Sequence, residues 1–331
     1  MQVSRAMRRL PALAAAWLAV ALVGPSAALA TQPDECPTWF PDFRCERSGR
    51  WEGFQMPMVQ PYLFEDPFIT TGVYPYYLWH EFPDDSAFQG GHADAVAVQL
   101  RVALTDRLAF IASKDGRMRL DPDLSLLDDE EGWMNLAGGF KYALIQRPED
   151  HFILSPALRV EVPTGSHNVL AGGSDVIFLP SVSAAWGLED LHLIGGLGGQ
   201  IPTDSNVYST SGFYHLYADY TVAAWFQPFV QLSGMHWFDG GDGHRRVELA
   251  DGSEITIDQA THALGVGHFE GADVLNLGSK GVEGQDLVTA AIGTHIPLGR
   301  HMTFSVAYER PITERKDIFE QRVTTAMRFE F

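Results

Sequence analysis

The sequence predicts an all-β fold: a single transmembrane, antiparallel, up-and-down β-barrel of about twelve strands. Three observations predict it. From residue 69 onward, segments alternate apolar and polar side chains with a period of two, the signature of strands with one greasy face. The connections between them alternate short and long. Beyond residue 30 no apolar run approaches the roughly eighteen residues that a helical span needs, whereas barrel strands need none.

Three parts are expected. Residues 1–30 read as a secretory signal peptide: Arg5, Arg8 and Arg9 precede an apolar run over 10–23, and Ala28, Leu29 and Ala30 form a small-residue cleavage site. Cleavage after Ala30 is expected. Pro33, Asp34 and Glu35 before Cys36 make no lipid-attachment motif, so no lipid anchor is expected.

Residues 31–66 differ from the rest, with Pro33, Pro37, Pro41, Pro57 and Pro61 among Trp39, Phe40, Phe43, Trp51 and Phe54 and no clear period. Aromatic content at this level argues against a disordered tail. Cys36 and Cys45 predict a local disulfide, because an exported chain meets an oxidising compartment. The segment carries Asp34, Glu35, Asp42, Glu46, Glu52, Glu65 and Asp66 against Arg44, Arg47 and Arg50. Two placements stay open, a plug inside the barrel or a periplasmic extension. The extension is the favoured expectation, since twelve strands leave little room.

Residues 67–331 supply the barrel. Strands are predicted over 69–79, 94–104, 108–113, 133–145, 151–162, 175–187, 191–201, 212–224, 229–238, 286–297, 302–309 and 319–331. The second is the clearest: Val96, Val98, Leu100, Val102 and Leu104 oppose Ala95, Ala97, Gln99, Arg101 and Ala103. Residues 105–107, 147–150, 188–190, 225–228 and 297–301 read as tight turns. Residues 80–92, 114–132, 163–174, 202–211, 239–285 and 311–318 read as longer loops. This is the arrangement of short periplasmic turns and longer outer loops. Within 239–285, residues 246–249 and 254–257 flank Asp251 and Gly252 as a small hairpin.

Aromatics on the apolar faces are expected to form two interfacial girdles, Tyr214, Tyr308 and Phe319 at the loop end and Tyr142, Phe152, Trp186, Phe226, Phe329 and Phe331 at the turn end. Pro156 and Pro180 fall inside strands, where proline removes a ladder donor; a bulge is the expected accommodation. In the last strand Phe319, Gln321, Val323, Thr325, Met327, Phe329 and Phe331 share one face.

That terminus, closing on Phe329, Glu330 and Phe331, resembles the last strand of bacterial outer-membrane barrels, which the insertion machinery reads. An edge strand of a soluble sandwich is the competing reading. The stretch Gly139, Phe140, Lys141, Tyr142, followed after a turn by residues 158–165 (Leu-Arg-Val-Glu-Val-Pro-Thr-Gly), resembles an outer-membrane family named for the MetA pathway of phenol degradation. The resemblance implies a channel for hydrophobic or aromatic compounds. The cysteine-bearing segment departs from the family's common pattern.

Charge excludes one class. The 23 basic residues less the three in 1–30 leave 20 against 42 acidic, or −22, the wrong sign for nucleic acid. An acidic excess suits exposed loops and a lumen that favours cations. No cofactor is expected. The twelve histidines show no metal-helix spacing, so no metal is expected either, and none is followed two positions later by serine as in the barrel phospholipases. No nucleophile-elbow motif is present. The glycines of 195–199 read as strand packing rather than a phosphate loop. The aspartates of 239–242 lack the ligand spacing of a calcium loop.

Alternation places Asp94, Gln99, Arg101, Asn135, Lys141, Arg159, Glu161, His215, Asp219, Glu309, Glu320, Arg322, Arg328 and Glu330 inward. Two readings stand: a charge network that fills the barrel, or the lining of a selective conduit. The expected partners are outer-membrane lipid, the barrel-assembly machinery and a small-molecule solute. The leading functional expectation is a passive, non-enzymatic channel in the outer membrane of a Gram-negative-type bacterium. The alternatives are a structural or adhesion barrel acting through 239–285 and a lipid hydrolase.

Overall fold

The computed structural model of the chain describes residues 51, 53–173, 175–266, 269–299 and 301–331. The signal peptide, Cys36 and Cys45 lie outside the described residues.

Twelve antiparallel strands close into a barrel. They are β1 (Gly72–Glu81), β2 (Gly91–Ala103), β3 (Leu108–Lys114, continuing as Arg117–Pro122), β4 (Glu130–Trp133, continuing as Leu136–Tyr142 and Ile145–Arg147), β5 (Phe152–Val162) and β6 (Ile177–Leu188). Then come β7 (Leu191–Pro202), β8 (Thr210–Tyr220), β9 (Gln227–Asp239), β10 (Asp286–Pro297), β11 (Met302–Pro311) and β12 (Gln321–Glu330). Each pairs with the next, and β1 closes the ring by pairing β2 on one side and β12 on the other, with Tyr76 opposite both Ala97 and Ala326. Closure leaves no free edge, which is what permits a sheet to stand in hydrocarbon.

The pleat sorts the side chains as predicted. Val96, Val98, Leu100, Phe140, Leu158, Leu197, Leu216 and Ile292 are exposed on the outer face, while the residues that alternate with them are buried or half-buried. Tyr214, Tyr308 and Phe238 stand outside near the loop ends, and Tyr142, Trp186, Tyr220 and Phe331 near the turn ends. Phe319 is a correction: it is fully buried, beneath the Arg322 guanidinium rather than at the lipid interface.

The region 114–132 is also corrected. Its outer part is strand, not loop. β3 breaks only at Asp115 and Gly116 and then runs on against β2 to Pro122. Gly116 (φ +103) allows the break: a Cβ there would sit 2.2 Å from the Val96 carbonyl. The Asp115 carboxylate takes the Val98 N–H at 2.9 Å, which the ladder has released. Charged residues at every second position hid this strand, since its outward face carries Arg117 and Arg119 paired to Glu131 and Asp129 across β4.

Pro156 has its bulge. Between Lys141–Ala157 and Ile145–Leu154, β4 advances four residues and β5 three. Pro180 has none: the β5–β6 register runs unbroken through it, and the β6–β7 ladder simply skips Leu179 and Pro180.

Candidate functional site

The inward face holds all of the nominated lumen residues but two. Arg101, Lys141, Arg159, Glu161, His215, Asp219, Glu309 and Arg322 are buried there, and Arg328 is partly buried beside them. Asp94 is a correction. It shares the parity of Val96 and so faces outward, where it accepts from the Tyr77 hydroxyl at 2.5 Å. Glu320 is another: it sits at the rim and pairs with Arg310 and Lys316, both at 2.7 Å.

The lumen is filled from below by the chain itself. The described residues 53–71 rise from the turn end to Gln60 and descend to β1. This corrects the favoured expectation of a periplasmic extension for that stretch. Gln60 (φ +50) makes the apex, its carbonyl accepting from Leu63 and Phe64 N–H, both at 3.0 Å. Pro57, Pro61 and Pro67 keep the segment out of any sheet, so its carbonyls need other donors. The wall supplies them. Gln227 donates to the Gly53 carbonyl at 2.7 Å, Gln231 to Val59 at 3.0 Å and Gln99 to Pro61 at 2.7 Å. Arg159 donates to Tyr62 and Leu63 at 2.5 and 3.0 Å, and Ser155 to Pro67 at 2.6 Å. Irregular backbone at membrane depth is tolerable only under such cover.

Charge pins the descending limb. Lys141 lies 2.6 Å from Glu65 and 3.4 Å from Asp66; Arg101 lies 3.1 Å from Glu65 and also grips Asp66. Aromatics seat the base: Trp51, Phe54 and Phe68 cluster, Phe54 rests on His192, and Phe64 stacks on His215 at 4.5 Å. His192 meets Asp219 at 2.6 Å. Arg328 donates to Gln55 at 2.5 Å.

From above, the long connection after β9 folds inward. The predicted hairpin forms, Arg246–Glu248 against Glu254–Thr256. Thr256 then caps helix α1 (Ile257–Leu264) with a reciprocal capping box to Gln259, and Gly265 (φ +72) ends it. Residues 269–279 return into the barrel as a lid. The Glu270 carboxylate organises the lid by accepting from Ser209 Oγ at 2.7 Å, Ser279 N–H at 2.9 Å, Gly271 N–H at 3.1 Å and Leu277 N–H. At the lid's tip Asp273 forks onto Arg322, and the Val274 carbonyl accepts a hydrogen bond from the Lys114 ammonium at 3.0 Å.

Lys114 joins the two closures. It pairs with Glu161 at 2.8 Å and lies 4.1 Å over the Tyr62 ring of the plug. Glu161 also accepts from Asn135 at 2.7 Å and from the Tyr62 hydroxyl. Gln60 reaches Glu309 at 2.7 Å, and Glu309 lies 3.7 Å from Arg322. Between plug apex, lid tip and the β1–β3 wall remains a cavity of about 60 Å³, lined mainly by Ala93, Ala95, Met118, Leu120, Met134 and Leu275.

The nominated residues thus fall into separate groups: Arg101 with Lys141 and Arg159 on the plug, Glu161 at the junction, Glu309 with Arg322 under the lid. Sequence reasoning missed Lys114, Gln60 and Asp273. Lys114 was hidden by the misplaced end of β3, and the other two lie in irregular segments that no period describes. His215 donates to or accepts from Ser233 at 2.9 Å, and His295 does the same with Ser305 at 2.7 Å. Both Ser–His pairs face the filled lumen, away from lipid. Among the described residues no group of ligand side chains could hold a metal ion.

No protein-family model matches the chain, and no curated protein matches it significantly in sequence. Solved structures resemble it in three dimensions. An outer membrane channel from Pseudomonas putida F1 superposes with a TM-score of 0.55 at 14% identity, covering 84% of this chain and 100% of that one. The NanC porin gives 0.45 at 8% identity over 79% and 98%. Outer membrane phospholipase A from Escherichia coli gives 0.37 at 10% identity over 80% and 97%. Of these three, only the first likeness is close enough to carry weight, and at that identity it concerns fold alone. The chain has the fold of a bacterial outer-membrane β-barrel, closed with twelve strands.

Proposed function

We propose that the protein is a non-enzymatic outer-membrane channel for passive passage of small solutes, hydrophobic or aromatic in character. One observation carries the reading. The lumen is closed by two chain segments, plug and lid, that hang on wall side chains through hydrogen bonds and ion pairs and meet at an apolar cavity. A barrel that served only as a scaffold could fill its lumen with wall side chains, as smaller barrels do. Segments tied at their ends can move without breaking the ladder. The apolar outer belt supports a membrane location, and export by cleavage after Ala30 with a Cys36–Cys45 disulfide belongs to the same reading. A hydrolase acting on lipid fits less well, since both Ser–His pairs face inward.

The adhesion reading has one observation in its favour, an ordered long loop over a closed lumen. Against it, the loop directs Asp273 and Val274 inward, and only the small hairpin and α1 are left to meet a partner.

Single-channel recording in planar bilayers tests the proposal. Deleting residues 53–64, which leaves Glu65 and Asp66 for Lys141 and Arg101, should raise the conductance clearly above that of the intact chain. Equal conductance of the two proteins would sink it.

A further inference from the structure

Arg322 is prepared by β1 and by the loop before β12, independently of the lid. Its Nε donates to His80 Nδ1 at 3.1 Å, and His80 Nε2 donates to the Ile318 carbonyl at 2.7 Å. The guanidinium lies 4.4 Å over the Phe319 ring. This holds Nη1 and Nη2 side by side under the lid, the fork that matches a carboxylate in two parallel bonds. A wall carboxylate, Glu309, stands 3.7 Å from Nη1, but the one that fills the fork is not a wall residue. It belongs to Asp273 at the lid tip, with distances of 2.8 and 2.7 Å. One residue on, the Val274 carbonyl occupies Lys114. Apolar side chains, Ala95, Met118, Leu120 and Met134, line the space beside them.

We propose that Asp273 stands in the place of the solute's own carboxylate, and that the channel selects small apolar monocarboxylates, aromatic acids among them. The incoming carboxylate takes the Arg322 fork, and the apolar body lies along Ala95, Met118 and Leu120. The proposal rests on the channel reading and names its substrate class.

Two physical arguments separate this class from neutral aromatics. Emptying the fork strips the buried Arg322 of both its short bonds and leaves it Glu309 at 3.7 Å, which is costly, so Asp273 leaves readily when another anion takes the fork. A carboxylate does so with no change in buried charge, and a neutral ring cannot. The cavity of about 60 Å³ is also smaller than an aromatic ring with its substituent, so binding requires the room that Asp273, Val274 and Leu275 vacate. Entry and lid release are therefore the same event. When Asp273 has left, Glu309 still faces Arg322 at 3.7 Å and Glu161 still faces Lys114 at 2.8 Å, so the attraction for an incoming carboxylate lies in the two open bonds of the fork rather than in net local charge.

The test uses the full chain, with benzoate and its neutral isostere benzamide as probes. Binding is read by calorimetry in detergent, and uptake in proteoliposomes is corrected for protein-free vesicles. Asp273→Asn and Asp273→Ala remove the charged competitor and should tighten benzoate binding roughly tenfold, with benzamide unchanged. The double variant Asp273→Asn with Arg322→Gln, neutral on both sides, should reduce benzoate to the benzamide level. Both Asp273 variants lie in the lid, outside the strand ladder, so they decide the matter if the double variant does not assemble. Benzoate and benzamide behaving alike in the intact protein and in the Asp273 variants would overturn the proposal while leaving the channel standing. Neither probe crossing the intact protein would remove the channel reading itself.

Discussion

Lys141 is fully buried in the wall, yet its charge is met twice, by Glu65 and by Asp66 of the plug. Buried pairs contribute little net stability, because desolvation opposes attraction, but removing one partner strands the other. Lys141→Met should therefore destabilise the barrel by about 3–5 kcal/mol in urea unfolding followed by gel mobility. Adding Glu65→Gln should restore much of the loss, because Arg101 still serves Asp66. A double variant as weak as the single one would show that packing, not charge, sets the cost. Asp317, in the loop before β12, gives a residue-scale pH dependence. Burial pushes its carboxyl up to about 7, against the pull of Arg315 at 3.2 Å and the N–H of Glu270, with the Glu270 charge adding to the rise. An unfolded aspartate titrates near 4, so between about pH 4 and 7 the folded chain holds a proton that the unfolded chain has released. The contribution is full below that window and lost as the pH rises through it. Amides of the lid that depend on Glu270, those of Leu277 and Ser279, should exchange faster at pH 8 than at pH 5 after correction for intrinsic rates. Asp317→Asn should flatten that difference; an unchanged profile would place the titration elsewhere.

Elements show where period-two reading succeeds and where it stops. In β2, Val98 faces hydrocarbon and Ala97 faces the cavity, as the alternation predicts. Val98→Arg should cost about 2–4 kcal/mol at mid-membrane and suppress assembly, seen as loss of the folded gel band, whereas Ala97→Arg should assemble far better. The reverse order would put the register off by one residue. β3 marks the limit. In its continuation from Arg117 the outward side chains are ion-paired rather than apolar, so the hydrophobic alternation that identifies a strand fades although the ladder does not. The hairpin over 246–256 was legible because turn chemistry is local: Asp251 takes the Ser253 N–H at 2.9 Å and Gly252 sits at φ +79. The inward course of residues 269–279 was not, because nothing local decides which way a loop folds.

For the whole molecule, closure by twelve strands makes every backbone ladder depend on its neighbours, so unfolding should be slow and cooperative. An unboiled sample should migrate as a compact band distinct from the boiled one, and the protein should fractionate with membranes. A single mobility in both treatments, with the protein in the soluble fraction, would remove the barrel. The sequence by itself determined the barrel: its class, its strand number, the alternation of turns and loops, and the side of the wall on which Arg101, Lys141, Arg159, Glu161, His215, Asp219, Glu309 and Arg322 stand. Each of these follows from the two-residue pleat, which is written directly into the order of residues. Only the tertiary structure decided what those side chains hold. Glu65, Asp66 and the Tyr62 carbonyl reach their partners across tens of residues of intervening chain, and Asp273 reaches Arg322 from a different loop altogether. Such pairings are set by which irregular segment enters the closed lumen, and irregular backbone carries no period from which its partners can be read.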